Sequence, residues 1–183
     1  MKKIIFLSEL NLALSPLTRA EISEDTVREY AEAYKGKEKF PEPILYQVGN
    51  DYIVGDGMHR INAMRLAGIK AATFEVRAAD REFAIKFALQ SNVHHGLRRT
   101  GADKRQCATT AIKEFPAYSN REIANICVVS DDLVGDVRKE MEVVGEIEKR
   151  TKVIDRSGRS QSATKAKSGV VSDTRKPENK GKN

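Results

Sequence analysis

Residues 52–68 have the sequence YIVGDGMHRINAMRLAG. A short β-branched run leads into a Gly-Asp-Gly turn and then into an amphipathic run, which predicts a strand, a tight turn and a helix. Unpaired N–H groups and the positive end of the helix dipole point outward at such a helix start, and together they favour an anion. Gly55 and Gly57 permit backbone angles that other residues resist, and Arg60 carries donors matched to phosphate oxygens. The stretch therefore predicts a phosphate site, although many similar turns bind nothing.

The residues around this stretch predict a small sheet with helices. Gly49 and Asn50 form a pair favoured in tight hairpins and lie between two strand-like runs. Ser23 and Asp80 precede apolar residues at helical spacing, and we expect them to cap helices. Strands are predicted at residues 3–7, 44–48, 52–54 and 71–77, and helices at residues 24–34, 59–68 and 81–91. This pattern is typical of an α+β domain with a small mixed β-sheet, about 90 residues long.

The third quarter of the chain changes to helices alone. Thr100 and Asp103 resemble a capping box, Ser119 opens a second one, and Ser130 is placed to cap a further helix. The two short helices joined by residues 127–129 have helix-turn-helix spacing, in which the second helix enters a DNA groove. Any small helical bundle uses the same caps, so a bundle without affinity for DNA is the alternative.

Charged side chains in this region argue in both directions about DNA. Val128 occupies the turn position usually filled by Gly, and the second helix carries Asp131, Asp132 and Asp136, which repel phosphate. Basic and capping residues favour binding. The candidate DNA contacts are Arg98, Arg99, Lys104, Arg105, Ser119, Asn120, Arg121, Ser130, Arg138 and Lys139.

The last 35 residues are strongly basic. Residues 149–183 contain eleven Lys or Arg and three acidic residues, whereas the rest of the chain is nearly neutral. They contain few large apolar side chains, so we expect a disordered basic tail. It is either an arm attracted to nucleic-acid phosphates or a solubilising extension. The predicted organisation is an α+β domain at residues 1–97, a helical DNA-binding domain at residues 98–148, and the tail at residues 149–183.

Cysteine usage and the apolar pattern indicate the compartment. Cys107 and Cys127 lie within helical apolar patterns without a CxxC pairing, and we interpret them as small buried residues in a reducing environment. The apolar run at residues 4–7 is too short for a signal peptide, and no stretch reaches membrane-spanning length. We therefore expect a cytoplasmic protein without membrane association.

Four short segments, in their order along the chain, resemble the ParB/sulfiredoxin superfamily. They are residues 15–20 (SPLTRA), 55–60 (GDGMHR), 91–97 (SNVHHGL) and 118–130 (YSNREIANICVVS). Residues 4–142 are thus similar to a ParB-like N-terminal domain followed by a helix-turn-helix, of the type found in plasmids, phages and other mobile elements.

The resemblance implies a nucleotide pocket. A nucleoside triphosphate, CTP or ATP with Mg²⁺, would sit at the Gly-Asp-Gly turn and order the loops that close on it. That would shift the helical half and alter its affinity for DNA. The residues implied in nucleotide or phosphate binding are Arg19, Gly55, Asp56, Gly57, Met58, His59, Arg60 and Asn92.

Departures from the family patterns limit what the resemblance implies. Sulfiredoxins use a Cys where this chain has Met58, and a thioether cannot form the required adduct, so we do not expect sulfiredoxin chemistry. Leu17 replaces a Gln of the first segment, and His59 replaces the first Arg of the Gly-Glu-Arg-Arg loop of segregation-type ParB proteins. His94 and His95 stand where Gln and Arg are usual. The dimerisation domain of those proteins is not recognisable, and formation of a homodimer stays open.

The residues and the family resemblance together leave three hypotheses for the function. The leading hypothesis is a nucleotide-responsive DNA-binding protein, acting as a regulator or accessory partition factor of a mobile element. An enzymatic alternative is a slow nucleoside triphosphatase or metal-dependent nuclease, in which His59 and Asp56 would act with a metal ion. In a third alternative, the helical half binds another protein. His59 and Asp56 also have structural interpretations, as a helix-start hydrogen bond and as a turn-shaping residue. Adjacent His94 and His95 favour a helix-end role over metal binding.

Overall fold

The computed structural model describes residues 1–91, 97–149, 152–154 and 159–162. Its strands are β1 (Lys2–Phe6), β2 (Ile44–Val48), β3 (Asp51–Asp56), β4 (Ala71–Ala78), β5 (Lys152–Ile154) and β6 (Ser160–Ser162). Its α-helices are α1 (Glu24–Lys35), α2 (Met58–Leu66), α3 (Arg81–Gln90), α4 (Gly101–Glu114), α5 (Asn120–Cys127) and α6 (Asp131–Val143). Short 3₁₀ turns lie at Leu7–Glu9 and Leu12–Leu14. The predicted α+β class is confirmed.

Strands β1 to β4 form a mixed sheet with the order β1-β4-β2-β3. Gly49, with a φ of 61°, and Asn50 form the two-residue turn of the β2–β3 hairpin, in which Val48 pairs with Asp51. Helix α2 then carries the chain across to β4, which lies parallel to β2. This crossover places the Gly-Asp-Gly turn at the end of β3, directly before α2.

Helices cover both faces of the sheet, and buried apolar residues form three clusters. Leu45, Ile61 and Phe74 are fully buried between the sheet and α2, which packs along α1. On the other face, Ala84 of α3 packs against Tyr46 and Ile53. The opposite side of α3 contributes residues to the third cluster, which is the core of the helical half. That core contains Ile85, Leu89, Ile112, Ile123 and Val134. Helix α3 thus belongs to both halves of the protein.

Short polar side chains cap most of the helices. Ser23, Asp80, Ser119 and Ser130 each accept a hydrogen bond from the backbone N–H of the third residue of the following helix. Thr100 and Asp103 form a complete capping box at the start of α4. All of these caps were predicted from the sequence, because such residues satisfy N–H groups that the helix itself leaves unpaired.

The turn between α5 and α6 is made by a residue poorly suited to it. Val128 has a φ of 53° and a ψ of 58°, which is the left-handed conformation that normally favours glycine. Its side chain is about half exposed, at 47%. The chain therefore makes the turn without the usual glycine and accepts backbone strain there.

The basic C-terminal residues contain an element that we did not predict. Lys152–Ile154 and Ser160–Ser162 pair as a small antiparallel sheet. Most of the predicted disordered tail lies outside the described residues. Within the described ranges, no helix combines the length and apolar content needed to cross a membrane.

We predict that Val128→Gly stabilises the protein by about 0.5–1 kcal/mol. A left-handed conformation costs an L-residue roughly 1–2 kcal/mol, and the greater chain entropy of glycine offsets part of that gain. The free energy of unfolding in urea measures the change. Val144→Gly is the matched control, since Val144 is an exposed valine at the end of α6 with a φ of −84°. It should destabilise by about 0.5–1 kcal/mol, and equal effects of the two substitutions would contradict the strain at Val128.

Candidate functional site

A cavity of about 510 Å³ lies at the Gly-Asp-Gly turn. The start of α2 forms one wall, and residues of the Arg19 segment and of α1 form others. The lining residues are Thr18, Arg19, Thr26, Tyr30, Phe40, Pro41, Glu42, Ile44, Asp56, Gly57, Met58, His59, Arg60, Glu75 and Leu97. The structure therefore places six of the predicted nucleotide-binding residues around one space.

The start of α2 differs from the other helix starts in the described part of the chain. Its N-cap is Gly57, which has a φ of 97° and supplies no side-chain cap. A Cβ at this position would lie 2.8 Å from Cβ of Pro43, so both the backbone angle and the space require glycine. The first-turn N–H groups and the positive end of the helix dipole are thus left to a ligand or to water.

Gly55 has a different role from the one we predicted. It lies within β3, and a Cβ there would come within 2.8 Å of the Tyr46 ring and 3.1 Å of the Phe87 ring. The missing side chain makes room for these aromatic rings rather than for a ligand. Gly55 does not line the cavity.

Arg60 lies in the cavity wall but already holds a carboxylate. Its Nη2 donates to Oδ2 of Asp56 at 2.7 Å, and its Nη1 donates to the carbonyl of Pro41. The Arg60 and Asp56 side chains are 14% and 26% exposed. An incoming phosphate would therefore have to share Arg60 with Asp56 or displace Asp56.

The other carboxylates of the cavity also have cationic partners. Glu42 pairs with Lys2, which lowers the pKa of the Glu42 carboxyl, and Glu75 pairs with Arg77 at 2.8 Å. Because each acidic group is paired, the cavity does not present an uncompensated negative wall to an anion.

Arg19 connects the cavity to the helical half. Its Nη1 donates to Oδ2 of Asp103 at 2.9 Å and to the carbonyl of Arg98 at 3.2 Å, and its Nη2 donates to the carbonyl of Leu97. The Arg19 and Asp103 side chains are only 9% and 7% exposed. The N–H of Ala20 donates to the other carboxylate oxygen of Asp103 at 3.0 Å. Asp103 thus completes the capping box of α4 and also anchors Arg19.

The rest of the 15–20 segment is held by both halves of the protein. At one end, the Ser15 hydroxyl accepts a hydrogen bond from the N–H of Val54 in β3 at 2.9 Å. At the other, the carbonyl of Leu17 accepts from Thr110 of α4 at 2.7 Å. The segment therefore spans from the sheet to α4.

His59 is half-buried beside Arg19 and acts as an acceptor. Its Nε2 accepts a hydrogen bond from the N–H of Ser23 at 3.3 Å. Burial lowers the pKa of His59, and the positive charge of Arg19 lowers it further, against an opposing effect of Asp103. The lowered pKa favours the neutral imidazole, in keeping with the structural interpretation of this residue, and while Nε2 accepts from Ser23 it has no proton to donate to a phosphate.

The aromatic residues Tyr30 and Phe40 also line the cavity. Phe40 packs against Tyr30 and Tyr34, with ring centroids 5.0 and 4.7 Å apart. Burial raises the pKa of Tyr34, whose buried hydroxyl has no hydrogen-bond partner among the described residues. Sequence analysis missed these residues because they come from α1 and the following loop, far along the chain from the glycine turn.

Some predicted residues fall outside the described ranges. Asn92, His94 and His95 are among them, so their position relative to the cavity stays a prediction. In the ranges that the structure does describe, no three or more His, Cys, Asp or Glu side chains are grouped to hold a metal ion. Mg²⁺ carried by a nucleotide is typically bound by phosphates plus one or two carboxylates, and Asp56 is the predicted carboxylate that lies in the cavity wall.

Several predicted DNA contacts have structural roles instead. Arg138 is only 5% exposed and donates to Oδ1 of Asn120 at 3.0 Å and to the carbonyl of Tyr118. Arg99 donates to the carbonyls of Leu89 and Cys127, at the C-terminal ends of α3 and α5. Guanidinium groups at these places hold helices together, and their role as DNA contacts stays a prediction.

The remaining predicted DNA contacts divide into caps and exposed cations. Ser119 and Ser130 use their hydroxyl groups as helix caps. Arg105 is exposed but forms an ion pair with Glu140. The other exposed basic residues of this set are Arg98, Lys104, Arg121 and Lys139.

Comparisons with known proteins give limited sequence similarity. No family profile matches the chain. A relative from Streptomyces griseus, described as a possible regulatory protein of the streptomycin biosynthesis operon, is 34% identical over 83 residues. The match covers 45% of this chain and 24% of the relative, so the chain corresponds to about a quarter of that protein.

Solved structures similar to the chain include ParB and sulfiredoxin, the two groups named in the sequence resemblance. C-terminally truncated ParB from Caulobacter crescentus, solved with CTP-γ-S, is 15% identical with a TM-score of 0.45, over 81% of this chain and 87% of that one. Sulfiredoxin from Arabidopsis thaliana is 20% identical with a TM-score of 0.39, over 45% of this chain and 91% of that one. At these identities the likeness concerns the fold alone.

We predict that His59 makes the protein less stable in mild acid. Because its pKa is lowered in the folded state, the unfolded chain binds a proton more readily once the pH falls below the ordinary value of 6.5. The free energy of unfolding should therefore fall between pH 7.5 and 5.5. His59→Gln, which retains an acceptor for Ser23, should show a smaller fall. Urea titrations at both pH values test this, and equal falls in the two proteins would contradict a buried, neutral His59.

Proposed function

We propose that this protein is a DNA-binding regulator whose affinity for DNA responds to a nucleoside triphosphate in the cavity beside α2. The observation that carries the proposal is that Arg19 lines this cavity and also holds Asp103 at the start of α4. A ligand that attracts Arg19 therefore acts directly on the helical half.

The shape and chemistry of the cavity support a nucleotide. Its volume of about 510 Å³ lies within the usual range for small-molecule sites, roughly 300–1,000 Å³. Phosphates would lie at the uncapped start of α2, near Gly57 and Arg60, where N–H groups and a guanidinium are available. The aromatic pair Tyr30 and Phe40 would contact the ring system. The nucleotide would be CTP or ATP with Mg²⁺, and Asp56 is the carboxylate that would contact the metal.

Competition for Arg19 supplies the switch. A triphosphate offers several charged oxygens, whereas Asp103 offers one carboxylate, so a bound nucleotide would draw the guanidinium toward the cavity. Asp103 would then lose one of its partners while keeping its cap of α4. The contact between the 15–20 segment and α4 would weaken, and the helical half would change its position or its mobility.

The distribution of charge indicates how the protein would contact DNA. Helix α6 exposes Asp131, Asp132 and Asp136, so it is a poor reader of base edges. Exposed Arg98, Lys104 and Arg121, together with the basic tail, would instead contact phosphates. We therefore expect binding that depends strongly on salt.

A regulatory role agrees with what is known of the Streptomyces griseus relative, described as a possible regulatory protein. In the proposed function, the protein is a ParB-like regulator or accessory partition factor of a mobile element. The process in which it would act, regulation or partition of a mobile element, is likewise proposed.

We predict that Arg60→Ala weakens nucleotide binding by about tenfold or more. A hydrogen bond between charged groups contributes about 1.5–3 kcal/mol, which corresponds to at least that factor. Titration of radiolabelled CTP, ATP and GTP in the presence of Mg²⁺ measures the dissociation constants. Lys70→Ala removes the same charge from an exposed position outside the cavity and should leave binding unchanged. Equal retention of nucleotide by the Arg60 variant and the wild type would remove the phosphate site from the proposal.

We predict that DNA affinity responds to nucleotide in the wild type and responds much less in Asp103→Asn. The substitution removes the charge that competes for Arg19, while the amide oxygen still accepts a hydrogen bond at the start of α4. Fluorescence polarisation of a labelled duplex, with and without nucleotide, measures the response. Asp80→Asn is the matched control, because Asp80 caps α3 through the N–H of Phe83. Its response should equal that of the wild type, and an undiminished response in Asp103→Asn would exclude Asp103 as the competing group.

A further inference from the structure

The outward face of α6 carries a stripe of negative charge that ends in an apolar patch. Asp132, Asp136 and Glu140 are exposed and four residues apart, so they lie on the same side of the helix. Val143 and Val144 follow and are 79% and 68% exposed. A shallow groove of about 350 Å³ runs along this face, lined by Asp136, Lys139, Glu140, Val143 and Val144.

Helix α6 gains little from this stripe by itself. Acidic residues in the first turn, such as Asp132, interact favourably with the helix dipole, but Asp136 and Glu140 lie beyond that turn. Like charges four residues apart destabilise a helix, because they repel each other across one turn. Glu140 is compensated by Arg105, whereas Asp132 and Asp136 form no ion pair with another described residue. The face is therefore suited to a cationic partner with an apolar portion.

The chain itself contains a segment of that chemistry. Residues 170–176 have the sequence VVSDTRK, in which two valines precede two adjacent basic residues. From Val143 to Asp136 the helix rises about 10 Å, at 1.5 Å per residue. From Val171 to Arg175 an extended chain spans about 13 Å. The apolar and charged parts of the two elements therefore have similar spacing.

The segment is joined to the last described residue by a short linker. Residues 163–169 follow Ser162, and this linker extends over up to about 25 Å. Helix α6 has 13 residues and is about 20 Å long. Residues 163–183 contain six Lys or Arg and two acidic residues, so their net positive charge is complementary to the negative stripe.

We propose that residues 170–176 dock on the outward face of α6 in the same molecule. Val170 and Val171 contact Val143 and Val144, and Arg175 and Lys176 pair with the Asp136 and Asp132 carboxylates. The segment runs antiparallel to the helix. Docking neutralises the negative stripe and keeps basic residues of the tail from binding other anions. Other anions therefore have to compete with the acidic face of α6 for the tail. This inference does not require the nucleotide site or the affinity for DNA.

Paramagnetic broadening in the full chain tests the docking. A nitroxide is attached at Ser168→Cys, next to the segment. The native thiols react slowly, because burial raises the pKa of Cys107 and, separately, raises the pKa of Cys127 to about 12. In 50 mM salt we expect loss of amide NMR signals along α6, and recovery of those signals in 0.5 M salt, where exposed ion pairs are screened. Broadening that avoids α6 would overturn the proposal.

Variants separate specific docking from general attraction. Asp132→Asn with Asp136→Asn should restore the α6 signals by removing the paired carboxylates. Asp25→Asn with Glu29→Gln changes the net charge equally on the exposed surface of α1 and should leave the broadening intact. Broadening that is equal in both double variants would contradict the pairing. A mixture of isotope-labelled protein without nitroxide and unlabelled protein with nitroxide should show no broadening, whereas broadening there would place the tail on a second copy instead.

Discussion

The ion pair between Arg19 and Asp103 is the contact on which the arrangement of the two halves depends. Both side chains are almost fully buried, and burying two charges costs several kcal/mol per ion unless other polar groups compensate. The compensation is present here, since Arg19 also donates to the carbonyls of Leu97 and Arg98. Burial by itself would raise the pKa of Asp103, but hydrogen bonds from Thr100, Ala20 and Arg19 outweigh that effect and lower it. The pair is thus stable only while every partner is in place.

This dependence explains how a small ligand could act on distant residues. The Arg19 guanidinium is in the cavity wall, and the carboxylate that holds it also caps α4. Helix α3 limits the available movement, since its Ala84 packs on the sheet while Ile85 and Leu89 lie in the helical core. A change at the 15–20 segment would therefore act on α4 while α3 stays packed against both the sheet and the helical core.

Cations in this protein illustrate how the same residue type serves opposite purposes. Arg99 and Arg138 donate hydrogen bonds to carbonyl groups at helix ends and between helices, whereas Arg98 and Arg121 are exposed to solvent. Arginine suits both tasks because its planar fork binds carbonyl oxygens as readily as phosphates. A count of basic residues in the helical half therefore overstates the charge that DNA would meet, and the acidic face of α6 reduces it further.

The sequence by itself determined the local structure. The caps at Ser23, Asp80 and Thr100, the hairpin at Gly49 and the glycine turn at Gly57 follow from hydrogen bonds and backbone angles within a few residues of one another. The tertiary structure decided the rest. It brought Tyr30 and Phe40 together at the cavity. It also paired Arg60 with Asp56 and Arg19 with Asp103. At Gly55, it packed the ring of Tyr46 where a side chain would otherwise lie. These pairings depend on packing and burial. The buried, low-dielectric surroundings that favour one partner for each charged group exist only once the sheet and helices have packed together.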